Sequence, residues 1–90
     1  FSVSPGFPNP FNPETAFEIA LPSNATVRVS VFDSRGARVR MWPAAVLRAG
    51  VHRIAWDGRN DADELLASGV YYYDIKTVQG SDQRKAVLIR

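Results

Sequence analysis

The sequence has no cysteine, and this absence excludes disulfide bonds, thiolate metal ligands and cysteine nucleophiles from its 90 residues. It has one histidine, so a Ser-His-Asp triad or a histidine-based metal site would have to be built on His52 alone. We expect His52 to be a packed or edge residue of a strand, on the same face as Ile54 and Trp56. The sequence offers little material for catalysis, and we expect a non-catalytic protein with no metal and no cofactor.

The sequence also lacks clusters of like charge and long apolar runs. The 11 Lys and Arg residues are spread between Arg28 and Arg90 and are nearly balanced by 9 Asp and Glu residues. Nucleic-acid binding needs clustered basic residues with stacking aromatics, so we expect no nucleic-acid partner. No apolar run approaches the roughly 20 residues of a membrane span, and we expect no membrane insertion. With 46% hydrophobic residues, the chain should form one globular domain over residues 1–90, most simply a monomer.

Proline is concentrated at the start of the chain, where four of the six prolines fall within residues 1–13. Each proline removes an N–H and pushes its neighbour toward extended geometry, so this arm is not helical. Burial of Phe7 and Phe11, about 1.5–3 kcal/mol each, would dock the arm on the domain. The alternative is that the arm leads in from a preceding domain. Because the chain opens with Phe1, we expect it to be a segment of a longer polypeptide.

The remainder of the chain alternates apolar residues with polar or small ones, which is the two-residue period of half-buried strands. A turn at Ser34-Arg35-Gly36 separates two such runs and predicts a β-hairpin. The pattern predicts six or seven short strands at roughly ten-residue spacing, and therefore an all-β sandwich. The alternating runs cover residues 17–21, 27–32, 38–41, 51–56, 70–75 and 85–90.

A polar loop follows the strand that ends at Trp56. It crowds oxygen ligands of the kind that calcium prefers, but their spacing differs from that of an EF-hand loop. The simpler interpretation, which we favour, is that Asp57 and Asn60 hydrogen-bond the backbone of turns. The oxygen-bearing side chains of this loop are Asp57, Asn60, Asp61, Asp63 and Glu64.

Aromatic residues could form a flat platform for sugar rings, with Trp42, Trp56 and the three consecutive tyrosines as its members. The strand period argues against this platform, because it sends Tyr71 and Tyr73 to one face and Tyr72 to the other. These rings are therefore at least partly core, and a carbohydrate-binding module is kept as an alternative.

Three arginines of the hairpin, Arg28, Arg38 and Arg40, are expected to share one outer face. Such a face is usually solvated. Less often it docks an anionic partner such as lipopolysaccharide.

Six sequence blocks occur along the chain in a characteristic order. They are PNPFNPET at 8–15, the alternation that ends at Leu21 and Pro22, VFDSRG at 31–36, GVHRIAWDGR at 50–59, ASGVYYY at 67–73 and RKAVLIR at 84–90. In order and spacing they resemble the C-terminal sorting domains of the type nine secretion system, and the related immunoglobulin-like domain of flagellar hook-capping proteins. The resemblance covers essentially the whole chain.

The resemblance implies an immunoglobulin-like antiparallel β-sandwich of about seven short strands. In the sorting domains this unit is the C-terminal address of a secreted or cell-surface bacterial protein, recognised by outer-membrane secretion machinery and sometimes cleaved or exchanged for a lipopolysaccharide anchor. The implied partners are the secretion machinery or cell envelope and the upstream domains of the parent protein. The terminal strand region is the part linked to export, which places recognition on Lys85, Val87, Leu88, Ile89 and Arg90.

Two positions depart from the family pattern. Asp63 stands near a loop position where glycine is usual, and Ala86 stands where a larger apolar residue is common. A purely structural immunoglobulin-like module, as in the hook-capping proteins, is the main alternative function.

Overall fold

Seven β-strands make up the regular structure of the protein, seen in a computed structural model that describes residues 1–8, 10 and 14–89. This part of the chain contains no helix, and so none long and apolar enough to cross a membrane. The all-β prediction is confirmed. The strands are β1 (Ser2–Val3), β2 (Thr15–Leu21), β3 (Ala25–Asp33), β4 (Arg38–Leu47), β5 (Gly50–Trp56), β6 (Gly69–Thr77) and β7 (Gly80–Leu88).

The strands form two antiparallel sheets, one on each side of a single core. A three-stranded sheet has the order β1-β2-β5, and a four-stranded sheet has the order β4-β3-β6-β7. Short strands with one apolar face are stable when that face packs against a second sheet. The predicted β-sandwich is therefore confirmed.

The core lies between the sheets and is filled by alternate residues of the strands. The rings of Phe17 and Tyr73 stack across it with centroids 4.2 Å apart, and Trp56 meets Tyr71 edge to face at 5.4 Å. Aromatic pairs of this kind contribute about 0.5–1.5 kcal/mol beyond the area they bury. The other core residues are Val3, Ile19, Leu21, Ala25, Val27, Val29, Val31, Ile75, Ala86 and Leu88.

The polar groups of two buried aromatic residues donate hydrogen bonds to nearby backbone carbonyls. Trp56 Nε1 donates to the Arg59 carbonyl at 3.0 Å, and Tyr71 Oη donates to the Ala67 carbonyl at 2.7 Å. The second bond, from a tyrosine at the start of a strand to a carbonyl four residues upstream, has the form of the tyrosine corner of immunoglobulin-like sandwiches. These bonds allow large rings to be buried without leaving a polar group unsatisfied.

The N-terminal arm adds the outer strand of the three-stranded sheet. Val3, in β1, is buried in the core. Two side chains hold the backbone beyond it: Tyr73 Oη donates to the Ser4 carbonyl at 3.1 Å, and Thr15 Oγ1 donates to the Pro8 carbonyl at 2.8 Å. The arm is thus packed on the sandwich by the apolar residues Phe1 and Val3 and by hydrogen bonds to its carbonyls.

The prediction that the Phe7 side chain docks the arm is wrong, because 78% of this residue is exposed. Only its backbone is engaged, through two hydrogen bonds with Ala16 of 2.8 and 3.1 Å. The neighbouring Gly6 takes the inward position against Tyr73, and in extended chain the next residue points outward. Phe11 lies outside the described residues.

The predicted hairpin between β3 and β4 is confirmed, and Asp33 shapes its turn. The Asp33 carboxylate accepts hydrogen bonds from the backbone N–H groups of Arg35 and Ala37, each at 2.9 Å. Gly36 supplies the positive φ, 88°, that the turn requires. The hydrogen bond from the Ala37 N–H, assisted by Arg35, lowers the pKa of Asp33 below its ordinary value of 3.8.

Candidate functional site

The terminal strand β7 lies at one edge of the four-stranded sheet and carries most of the predicted recognition residues. Ala86 and Leu88 point into the core and are 0% and 1% exposed. Lys85 lies opposite Tyr72 of β6 and faces away from the core, as does Val87. The strand is therefore anchored by one row of side chains and presents the other row outward.

The five predicted recognition residues do not form one surface. Lys85 and Val87 lie on the outer side of β7, and Ile89 follows the strand with 49% of its surface exposed. The prediction that Leu88 takes part in recognition is wrong, because Leu88 is a core residue that a partner cannot contact while the sandwich is folded. Its inward direction follows from the strand period once β7 pairs with β6. Arg90 lies outside the described residues.

The edge of β7 has a defined backbone orientation. The Gln83 N–H donates a hydrogen bond to Asp82 Oδ1 at 2.8 Å, so this N–H points away from β6. In an antiparallel ladder the direction of the backbone groups alternates from residue to residue. The backbone groups of Lys85 and Val87 therefore point toward the same edge as those of Gln83.

The two ends of the domain meet at this edge. Arg84 Nη2 donates to the Val3 carbonyl at 3.1 Å, and the Arg84 side chain is held by Asp82 at 3.3 Å. At the start of β7, a Cβ added to Gly80 would lie 3.2 Å from the Phe1 ring, and the φ of this glycine is +153°. The N-terminal arm and the terminal strand therefore support each other.

The acidic loop uses its oxygens to build turns. Asp57 Oδ1 accepts from the Arg59 N–H at 3.1 Å, and Asn60 Oδ1 accepts from the N–H groups of Ala62 and Glu64, each at 3.0 Å. The favoured interpretation of Asp57 and Asn60 as turn-bonding residues is thus confirmed. Within residues 1–8, 10 and 14–89, no group of three or more His, Asp or Glu side chains is placed to hold a metal ion.

Asp63, which stands near the family's usual glycine, adopts a left-handed conformation with a φ of 63°. Aspartate tolerates this region better than most residues, because its short side chain can bond locally. Its carbonyl accepts a hydrogen bond from Arg59 Nη1 at 2.8 Å. The loop therefore has a left-handed backbone at Asp63 without a glycine.

The prediction that Arg28, Arg38 and Arg40 share one outer face is wrong for Arg40. Register shifts interrupt the β3–β4 pairing, so Arg38 lies opposite the outward Phe32 while Arg40 lies opposite the inward Val31. A bulge of this kind moves every later residue to the other face.

Arg40 joins the edge of the sandwich to the acidic loop. Its guanidinium lies 3.7 Å from Asp57 and 3.8 Å from Asp61, and it sits 4.8 Å above the ring of Trp42. Asp61 Oδ1 also accepts the Met41 N–H at 3.0 Å, which satisfies a backbone group at the open side of β4. This cluster has a structural role that the sequence did not reveal, because it depends on the bulge.

His52 occupies the position expected of it. It is half-buried on edge strand β5, and its Nε2 lies 2.7 Å from the Arg48 carbonyl, at hydrogen-bonding distance. The contact spans the turn from β4 to β5 and holds the imidazole in place.

The aromatic residues do not form the flat platform that the strand period argued against. Trp56, Tyr71 and Tyr73 are core residues, whereas Tyr72 faces outward, as the strand period predicts. The outward neighbour of Tyr72 is Phe32, which lies directly opposite it on β3. Phe32 was not predicted as a surface aromatic from the sequence, although it falls on the outward phase of a strand whose inward phase is valine.

Two adjoining depressions mark the outer face of the four-stranded sheet. Their volumes are about 320 and 380 Å³, and Phe32 and Asp74 line both of them. The rest of the first depression is lined by Tyr72 and Gln83 and by the hairpin-turn residues Asp33, Ser34 and Gly36. The second is flanked by three cationic side chains and one methionine, namely Arg28, Arg38, Lys76 and Met41.

Three solved structures from two bacteria are similar to this chain. FlgD from P. aeruginosa is similar at a TM-score of 0.65 and 21% identity, over 82% of this chain and 58% of FlgD. Dimeric latent PorU from Porphyromonas gingivalis is similar at 0.69 and 20% identity, over 93% of this chain and 9% of PorU. PorZ, a surface component of the type IX secretion system of the same bacterium, is similar at 0.62 and 21% identity, over 98% of this chain and 11% of PorZ.

This chain spans less than two thirds of each of these proteins, and only about a tenth of PorU and PorZ. At such identities the similarity concerns the fold, and it confirms the immunoglobulin-like sandwich implied by the sequence blocks. No match was found among curated proteins. A family match covers most of the chain, from residue 9 to residue 81, and by it the protein belongs to the FlgD Ig-like domain family.

Proposed function

We propose that this domain is a non-catalytic sorting and surface-attachment domain at the C-terminus of a secreted bacterial protein. In this role its terminal strand is recognised by outer-membrane secretion machinery, and the parent protein reaches the medium or the cell surface. The domain acts as a monomer joined to the upstream part of the parent chain.

The observation that carries the proposal is the two-sided construction of β7. Ala86 and Leu88 fix the strand in the core, while Lys85 and Val87 face outward and Ile89 extends beyond the strand. Edge strands with defined outward side chains are a common means of recognition between proteins. The similarity to a part of PorZ, a surface component of a type IX secretion system, supports the same role.

The experiment is export of a reporter fused ahead of residues 1–90 in a bacterium that has the type nine system. The reporter should reach the medium or the surface only when the translocon works. If it remains in the periplasm with a working translocon, the domain is a structural module of the hook-capping kind and the sorting role is lost.

A point variant is a sharper test than truncation of the terminal strand, because truncation also removes Ala86 and Leu88 from the core. We expect Ile89→Ser to reduce export at least fivefold while the domain stays folded. The matched control is Val78→Ser, which changes a residue 93% exposed in the turn between β6 and β7. Equal export of the two variants would contradict recognition at the end of β7.

A further inference from the structure

The two depressions on the outer face of the four-stranded sheet serve neither the core nor the recognition proposed for β7. Together they form one surface that crosses β3 and β6, because Phe32 and Asp74 line both. Each depression falls at the lower end of the roughly 300–1,000 Å³ range of ligand sites, and its lining combines aromatic with charged and polar residues.

The floor of the surface is aromatic. Phe32 and Tyr72 lie directly opposite each other on β3 and β6, and both are half-buried. Side chains held this way on neighbouring strands have little freedom to lose when a ligand stacks on them. Their ring faces suit the apolar C–H side of a sugar ring, as aromatic residues provide apolar area at low entropic cost.

Polar groups with different hydrogen-bonding character stand beside the rings. The Asp74 carboxylate accepts hydrogen bonds, the Gln83 amide both donates and accepts, and the Ser30 hydroxyl does both. Lys76 Nζ lies 3.7 Å from Asp74 Oδ2, so a cation stands beside this carboxylate. An array of acceptors and donors next to an aromatic floor matches the hydroxyl groups of a carbohydrate.

The flank of the second depression is cationic. Arg28 and Arg38 are exposed there, and in the part of the chain that the structure describes neither guanidinium has an ion-pair partner. Guanidinium groups bind carboxylates through paired hydrogen bonds. The flank thus favours a ligand that carries carboxylate groups.

We propose that this outer face binds an acidic polysaccharide built from uronic acids. The sugar rings stack on Phe32 and Tyr72, their hydroxyls bond Asp74, and their carboxylates meet Arg28 and Arg38. An acidic peptide fits less well, because it has few hydroxyl groups to donate to the Asp74 carboxylate. The inference is independent of export, since it concerns binding by the isolated 90-residue chain.

The test measures binding of the 90-residue chain to polygalacturonate and to alginate at physiological salt. We expect both Arg28→Gln and Arg38→Gln to weaken binding at least tenfold. The matched control is Arg53→Gln, an exposed arginine on the outward side of β5 in the other sheet, which should change binding less than twofold. Tyr72→Val, which keeps a strand-forming residue, should also weaken binding at least tenfold.

Three results would overturn the proposal. The first is no binding to either polysaccharide. The second is equal binding to fully methyl-esterified pectin, which lacks the carboxylates. The third is equally tight binding to poly-L-glutamate, which would make the face a general anion or acidic-peptide surface instead of a sugar site. None of these binding results would change the expected outcome of the export experiment.

Discussion

The outward faces of the two sheets differ in the properties that a partner can recognise. On the three-stranded sheet, Glu18 lies opposite Arg53, so the charges are matched, and the neighbouring outward residues are aliphatic, namely Ala20, Val51 and Ala55. On the four-stranded sheet, three cationic side chains, two half-buried rings and two carboxylates line shallow depressions. These residues are Arg28, Arg38, Lys76, Phe32, Tyr72, Asp33 and Asp74.

The difference shows how one fold separates stability from recognition. Both sheets contribute the same kind of apolar residue to the core, so stability does not distinguish them. Among the described residues, the four-stranded sheet combines charge, aromatic area and the terminal strand on its outward side. In sandwiches generally, function resides in surface groups placed on a common scaffold. The account therefore assigns function to the four-stranded sheet and scaffold to the other.

The largest expected effect separates the inward side of β7 from its exposed end. Leu88→Ala should lower the free energy of unfolding by about 2–4 kcal/mol, because it removes a buried side chain and leaves a cavity. Ile89→Ala, one residue further on, should change it by less than about 0.5 kcal/mol. Urea unfolding followed by tryptophan fluorescence measures both. Similar losses of unfolding free energy in the two variants would contradict the assignment of Leu88 to the core and Ile89 to the surface.

A smaller effect is expected from two adjacent tyrosines that face opposite ways. Tyr73→Phe removes the donor to the Ser4 carbonyl and should cost about 1 kcal/mol of unfolding free energy. Tyr72→Phe, on the outer face, should change it by less than about 0.5 kcal/mol. Hydrogen exchange in the arm should accelerate in the first variant alone. If the arm exchanges at the same rate in both variants, Tyr73 does not hold it.

The smallest effect concerns acid stability at the hairpin turn of the four-stranded sheet. The folded-state pKa of Asp33 is lowered, chiefly by the Ala37 N–H, so its ionised form stabilises the folded state. This stabilisation is present above about pH 4 and is lost as the pH falls through the lowered pKa. Wild type should therefore exceed Asp33→Asn in urea midpoint at pH 6, and the difference should shrink below about pH 4. A difference that stays constant from pH 6 to pH 2 would exclude this role.

Much of the fold could be predicted because strand alternation is a local property of the chain. Val27, Val29 and Val31 are buried where the pattern placed them, and Tyr71 and Tyr73 are inward while Tyr72 is outward. The turn at Asp33 followed from its residue types in the same way. These features depend on near neighbours in the sequence, which a single sequence records.

Other features depend on contacts between distant segments. The bulge in β4 moves Arg40 to the inner side, and the small Gly6 leaves Phe7 outward, effects that no alternating pattern contains. The meeting of Phe32 with Tyr72 and Asp74 requires the order of strands in the sheet. The candidate sugar-binding face was therefore visible only after the sheets were assembled.

The most direct test of the account compares one charge reversal on each sheet. Lys85→Glu changes the outward side of β7, and Arg53→Glu changes the outward side of β5, where it also faces Glu18 at a cost below about 1 kcal/mol. Export of the fused reporter is measured for both variants, with urea midpoints confirming that both domains are folded. The account predicts at least a fivefold loss for Lys85→Glu and near-normal export for Arg53→Glu. Equal export of the two, or the larger loss with Arg53→Glu, would contradict it.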